Sequence, residues 1–174
     1  MIYNKNMKRF LLVMPVVLVV FSLVSTPVSA VDLTPEKIGL IHLNCNSAKI
    51  QLKRLQKVDS RIRVDLGANY ETILTNFMTN LNLRLVKNGF YNNDLINSQS
   101  TFSTARDRLK DDFIAYSQTL DETISIDCKA QPEEFYEKLE ETREARKKLN
   151  EDYMRNNDIL NQHKDYVYRL METL

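Results

Sequence analysis

Residues 132–174, PEEFYEKLEETREARKKLNEDYMRNNDILNQHKDYVYRLMETL, decide the fold class. Phe135, Leu139, Thr142, Arg146, Leu149, Tyr153, Asn156, Leu160, His163, Val167, Leu170 and Leu174 alternate at spacings of four and three without a slip. Side chains so spaced stand on one helical face and make the narrow seam of a coiled coil. Pro132 suits a first helical position, and Glu133 and Glu134 suit the positive end of the helix dipole. After Pro132 no proline or glycine interrupts the run. The pattern predicts a helix over 132–173.

Working back along the chain, Leu95, Phe102, Leu109, Phe113, Tyr116 and Leu120 give a second helix over 94–124, with Gln99 and Arg106 in the same stripe. Thr123–Asp127 is β-branched and alternating, which predicts an extended course to Cys128. Thr34, Pro35 and Glu36 form a cap, a first helical position and an acidic first turn for a helix over 35–87. Its stripe is Ile38, Ile41, Cys45, Ala48, Leu52, Leu55, Ile62 and Leu66, broken by Asp59. Past Gly67 it shifts to Tyr70, Ile73, Phe77, Leu81 and Leu85. That shift adds a residue to the heptad and changes the supercoil locally, and Gly67 weakens the helix by about 1 kcal/mol relative to alanine. Asn88-Gly89 reads as a helix stop and turn, too short a connection for anything but a reversal. The expectation is all-α: an elongated up-down-up, antiparallel three-helix coiled-coil bundle whose longest helix is about 80 Å by helix rise.

Residues 1–30 read differently. Lys5, Lys8 and Arg9 precede the apolar run Phe10–Val24, and STPVSA ends on Ala30. Basic, apolar and small-residue segments in that order make a secretory signal, predicting cleavage between Ala30 and Val31. The apolar run is about 15 residues where a bilayer span needs roughly 20. The rival reading is retention as an N-terminal membrane anchor, the one membrane contact the sequence suggests. This segment holds three of the 24 basic residues and none of the 23 acidic ones, leaving 31–174 with 21 against 23. A near-neutral domain of mixed charge lacks the footprint of a nucleic-acid binder. Residues 31–174 suit a single domain, secreted or held in the periplasm or envelope.

Cys45 and Cys128 are the two cysteines, and both follow the signal segment. In an oxidising compartment an isolated pair reads as one disulfide, with two buried thiols as the plain alternative. Too few ligands accompany them for a metal site.

The chain resembles a group of small secreted helical proteins predicted in reduced-genome bacteria of the candidate phyla. Asn88-Gly89-Phe90, Leu95, Phe102, Phe113-Ile114-Ala115-Tyr116, Leu120-Asp121-Glu122-Thr123, Cys128, Phe135, Leu139, Arg143 and Arg146 carry the resemblance, over roughly residues 45–170. It implies export, a disulfide and this fold, and no chemistry.

Candidate catalytic groups reduce to bland readings, so no catalytic residue, metal ligand or cofactor is expected. His42 and His163 fall far apart along the bundle, and His163 lies in the core stripe. Asp111-Asp112, Glu133-Glu134 and Glu140-Glu141 point different ways from a helix, and Glu134–Lys138, Glu144–Lys148 and Glu151–Arg155 suit pairs across one turn. Arg143, Arg146, Lys147 and Lys148 form the one basic cluster, among Glu140, Glu141, Glu144, Glu151 and Asp152. Gln99, Arg106, Thr142, Arg146, Asn156 and His163 occupy stripe positions, either to fix register or to face a partner or solvent. The expected function is non-enzymatic: a scaffold or protein-interaction module with a protein partner, and with a homo-oligomer left open. The alternative is a holdase chaperone, since Leu33-Thr34-Pro35-Glu36-Lys37 resembles the LTxxQ signature of small periplasmic stress chaperones, with Lys37 in the place of glutamine.

Overall fold

The computed structural model describes residues 33–173. The expected signal segment and the expected cleavage point between Ala30 and Val31 lie outside the described residues, as does Leu174. Among the described residues there are helices and turns and no strand. Helix α1 (Pro35–Thr72) passes through a π-helical segment (Ile73–Thr79) into α2 (Asn80–Lys87), and together these make the first of three helices. Helices α3 (Asn93–Ser125) and α4 (Pro132–Thr173) follow.

Local chemistry sets the ends. The Thr34 hydroxyl accepts from the Lys37 amide, and the Asn92 side chain accepts from the Leu95 amide at 3.0 Å. Both satisfy amides that a first turn leaves open. Gly89 adopts φ 80°, the left-handed region where a side chain is strained. Its amide donates to Val86 and that of Phe90 to Leu85, the paired bonds that close a helix on a glycine. Asp127 Oδ1 accepts from the amides of Lys129 and Ala130, which turns the chain into α4 and holds the carboxyl below its usual range.

Two expectations are corrected. Thr123–Ser125 is helical, and the chain leaves the helix at Ile126. The Thr123 hydroxyl bonds back to the Thr119 carbonyl at 2.8 Å and across to the Thr142 hydroxyl at 2.8 Å. Those bonds within a buried site override β-propensity, which is a weak prior. The second correction concerns the first helix, which passes Gly67 as regular α-helix and changes pitch at Ile73–Thr79. Its buried face is Tyr70, Leu74, Met78 and Asn82, whereas Phe77 is 64% exposed. A four-residue repeat drifts around an α-helix of 3.6 residues per turn, and the wider π turn holds it on one side. Thr79 donates to the Leu74 carbonyl five residues back, within the same widened turn.

Pairs across the helices mark the register. Asn82 bonds Gln99, and Tyr70 stacks edge-on against Phe102. The chain therefore passes from Asn82 back to Tyr70 while its partner advances from Gln99 to Phe102. Beyond that the two keep pace, through Asp59 with Tyr116 to Cys45 with Cys128. Cys45 and Cys128 are joined, with Cα atoms 5.7 Å apart.

Helices α3 and α4 are the intimate pair. Ser98, Ala105, Asp112 and Thr119 lie seven residues apart on α3 and meet His163, Asn156, Lys148 and Thr142 respectively. Most are small, which lets the backbones approach. The first helix packs on this pair through two separate cores. One gathers Cys45, Leu52, Tyr116, Leu120, Ile126, Cys128 and Phe135. The other gathers Tyr70, Leu74, Met78, Phe102, Ala105 and Ile159.

A Cβ on Gly67 would meet nothing within 4 Å. Gly67→Ala is expected to raise unfolding free energy by about 0.5–1 kcal/mol through helix propensity, read as a higher urea midpoint at unchanged slope.

Candidate binding groove and outer helix face

Between the two cores the first helix stands off from α3 and α4. Ile62, Leu66, Leu109, Phe113, Leu149 and Tyr153 point into the gap from all three helices, and none is buried. The gap is a half-open groove of about 1010 Å³. Space of that size lies at the upper end of small-molecule sites. These residues are seam positions of the sequence pattern: Leu66, Leu109, Phe113 and Leu149 are half-buried against the two cores, and Ile62 and Tyr153 are exposed.

Each end of the groove is closed by charge. Asp59, the one break in the first stripe, is buried and accepts from Tyr116 Oη at 2.7 Å and Arg146 Nε at 3.1 Å. Burial and then the Asp59 carboxylate push the Tyr116 phenol far above its ordinary value, and the hydrogen bond that Arg146 donates to Asp59 raises Arg146. At the other end Arg106 holds Glu71 and Asp107. There the Tyr70 phenol is pushed up to about 12, first by burial and then by Tyr153.

The polar stripe residues are spent inside the bundle. Thr142 meets Thr123, Asn156 donates to the Ala105 carbonyl at 3.3 Å, and His163 Nδ1 lies 2.7 Å from Ser98 Oγ. Gln99 joins Asn82 and Thr79. Such bonds fail if one helix slips by a turn, so these residues fix register. The basic cluster is engaged likewise: Arg143 with Glu140, Arg146 with Asp59, Lys147 with Glu144 and Lys148 with Asp112. His42 is exposed on α1, near Cys45.

The acids hold a surprise. Lys148 reaches Asp112 rather than Glu144, Lys138 reaches Glu122 and Glu141, and Glu134 accepts from Gln131. Asp112 is no solvated surface acid, for it sits against Asp152 in the α3–α4 contact, where Arg108 reaches Asp152 at 3.2 Å. Burial and then the neighbouring Asp112 carboxyl raise Asp152 above the usual carboxyl range, whereas Asp152 and the Lys148 and Arg108 cations hold Asp112 below it. The pair lies outside the groove lining. Its signal in the sequence was the seven-residue step Ser98, Ala105, Asp112, Thr119 facing the helix that carries Asp152.

Burial lowers the folded-state pKa of His163 below its ordinary value. As pH falls below about 6.5 the unfolded chain takes up this proton first, so His163 costs stability from there down to its folded pKa. Denaturation midpoints measured from pH 7 to 5 should fall for the wild type, and less for His163→Asn.

Among the described residues no group of His, Cys, Asp and Glu is placed to hold a metal ion, and no helix is long and apolar enough to cross a membrane. Compared with protein-family models, curated proteins and solved structures, the chain matches none.

The outer face of α1 carries a second feature. Leu43, Ile50 and Val64 are 83%, 52% and 65% exposed and fall on one seven-residue repeat, with Lys57 at its remaining position.

Proposed function

We propose that the chain is a non-enzymatic, exported interaction module of the cell envelope, built as an elongated up-down-up three-helix coiled-coil bundle. The observation that carries this reading is the exposed Leu43, Ile50 and Val64 stripe, which has heptad spacing and no covering helix among the described residues. A coiled-coil partner or a second copy would cover it. The Cys45–Cys128 disulfide is consistent with an oxidising compartment, which supports export.

Photo-crosslinkers placed at Leu43 and Ile50 in a producing cell test the reading. A discrete adduct at both, missing from a control at exposed Lys164, supports a specific partner. Monomeric sedimentation with no adduct at either position sinks it. Suppressed aggregation of an unrelated client at stoichiometric amounts would move the reading to a holdase, because scattered exposed residues such as Leu40, Phe77 and Tyr91 serve that role equally. Export is read separately, as an intact mass beginning at Val31.

A further inference from the structure

From the mid-bundle groove we infer a binding site for a free long-chain carboxylate, its tail on Ile62, Leu66, Leu109, Phe113 and Leu149 and its head between Arg63 and Lys110. The space runs from the Asp59 end to the Glu71 end along α1, about 18 Å by helix rise. Its walls come from three helices.

Charge selects the head. Six cations line the groove with three acids, and all three acids are already occupied: Asp59 by Arg146, Glu71 and Asp107 by Arg106. Among the described residues Arg63 and Lys110 pair with no carboxylate. The Arg63 guanidinium lies 5.3 Å from the centre of the Phe113 ring, at the edge of the apolar lining. Lys110 precedes Phe113 by one helical turn, so both cations border the same stretch of wall. An anion there neutralises charge that the fold leaves uncompensated, and an apolar tail covers exposed Ile62 and the solvent-facing parts of the half-buried seam residues. Val64 of the outer stripe also borders the groove, whereas Leu43 and Ile50 do not, so those two separate this inference from the outer-face reading.

Displacement of a dansylated undecanoate from the full disulfide-bonded chain tests it, with dodecanoate and dodecanol as competitors below their aggregation limits. Expected are a fluorescence rise on binding and displacement by dodecanoate at concentrations about tenfold below those dodecanol needs. Arg63→Gln with Lys110→Gln should erase that difference while leaving dodecanol unchanged. Gly67→Trp fills the groove, because a Cβ there meets nothing within 4 Å, and should abolish binding in a chain that still melts cooperatively. Leu43→Glu should leave binding untouched.

Several results overturn the site. They are no fluorescence rise, equal displacement by the alcohol, or full binding by a cooperatively melting Gly67→Trp chain. Displacement by an acidic amphipathic peptide or by anionic phospholipid vesicles, but not by dodecanoate, assigns the groove to another occupant and equally overturns it.

Discussion

Reducing the Cys45–Cys128 bridge is expected to remove about 4–5 kcal/mol of stability, the largest single loss available to this chain. The bridge spans a sequence separation of 83, and the chain-entropy model gives that cost for a loop of this length. Its position amplifies the effect. Cys128 and Cys45 are both buried in the first core, and the Cys45 half of α1 is otherwise held there by few buried side chains, chiefly Leu52. Thermal melting of the oxidised and reduced chain, or of Cys45→Ser with Cys128→Ser, should show a drop of roughly 10–15 °C. Hydrogen exchange should quicken first in α1 before Asp59 and in the 126–131 connection. Equal midpoints with and without reductant would show that core packing alone holds that end.

Removing Arg146 should come next in size. Arg146→Ala strands the Asp59 carboxylate, whose side chain is 9% exposed, with Tyr116 as its one remaining donor. Breaking a fully buried pair costs about 3–5 kcal/mol. Arg146 is itself 53% exposed, so solvent screens part of that and a loss of about 2–3 kcal/mol is expected. Replacing both partners, Asp59→Leu with Arg146→Met, should recover part of the loss, because an apolar pair needs no desolvation while the buried Tyr116 hydroxyl loses its acceptor. A double-mutant cycle in urea reads the coupling directly. If the double variant is as unstable as Arg146→Ala, the network holds the bundle by geometry rather than by charge balance.

These expectations rest on residues whose roles were legible to different degrees. Helical class and the number of helices follow from local rules, since Pro35, Gly89 and Pro132 punctuate, and the 4,3 spacing from Phe135 to Leu170 leaves no alternative secondary structure. The cysteine pairing was also legible, because two cysteines allow one bridge. Asp59 was visible as an anomaly, but a lone acid in an apolar stripe does not name its partner. Arg146 lies 87 residues away. The same limit hid the Asp112–Asp152 pair, whose members meet across helices while their sequence neighbours are other acids.

Periodicity also misplaced two features. Pattern alone put the irregularity at Gly67, the poorest helix former in the run, whereas the chain widens at Ile73–Thr79 to keep Tyr70, Leu74, Met78 and Asn82 on one face. It also extended the chain at Thr123–Asp127, where buried hydroxyl bonds keep Thr123 helical. In both places tertiary burial outweighs local propensity by more than the fraction of a kcal/mol at stake.

The sequence by itself determined that this protein is helical, where its helices begin and end to within a few residues, and that its cysteines are a pair. Those properties depend on groups close in the chain, or on there being one possible partner. Tertiary structure decided the register between helices, which polar residues meet, and that the seam at Ile62 and Leu66 opens into a groove. Each of these depends on distances between helices, and a periodic stripe records which side faces inward but not how near the neighbouring helix comes.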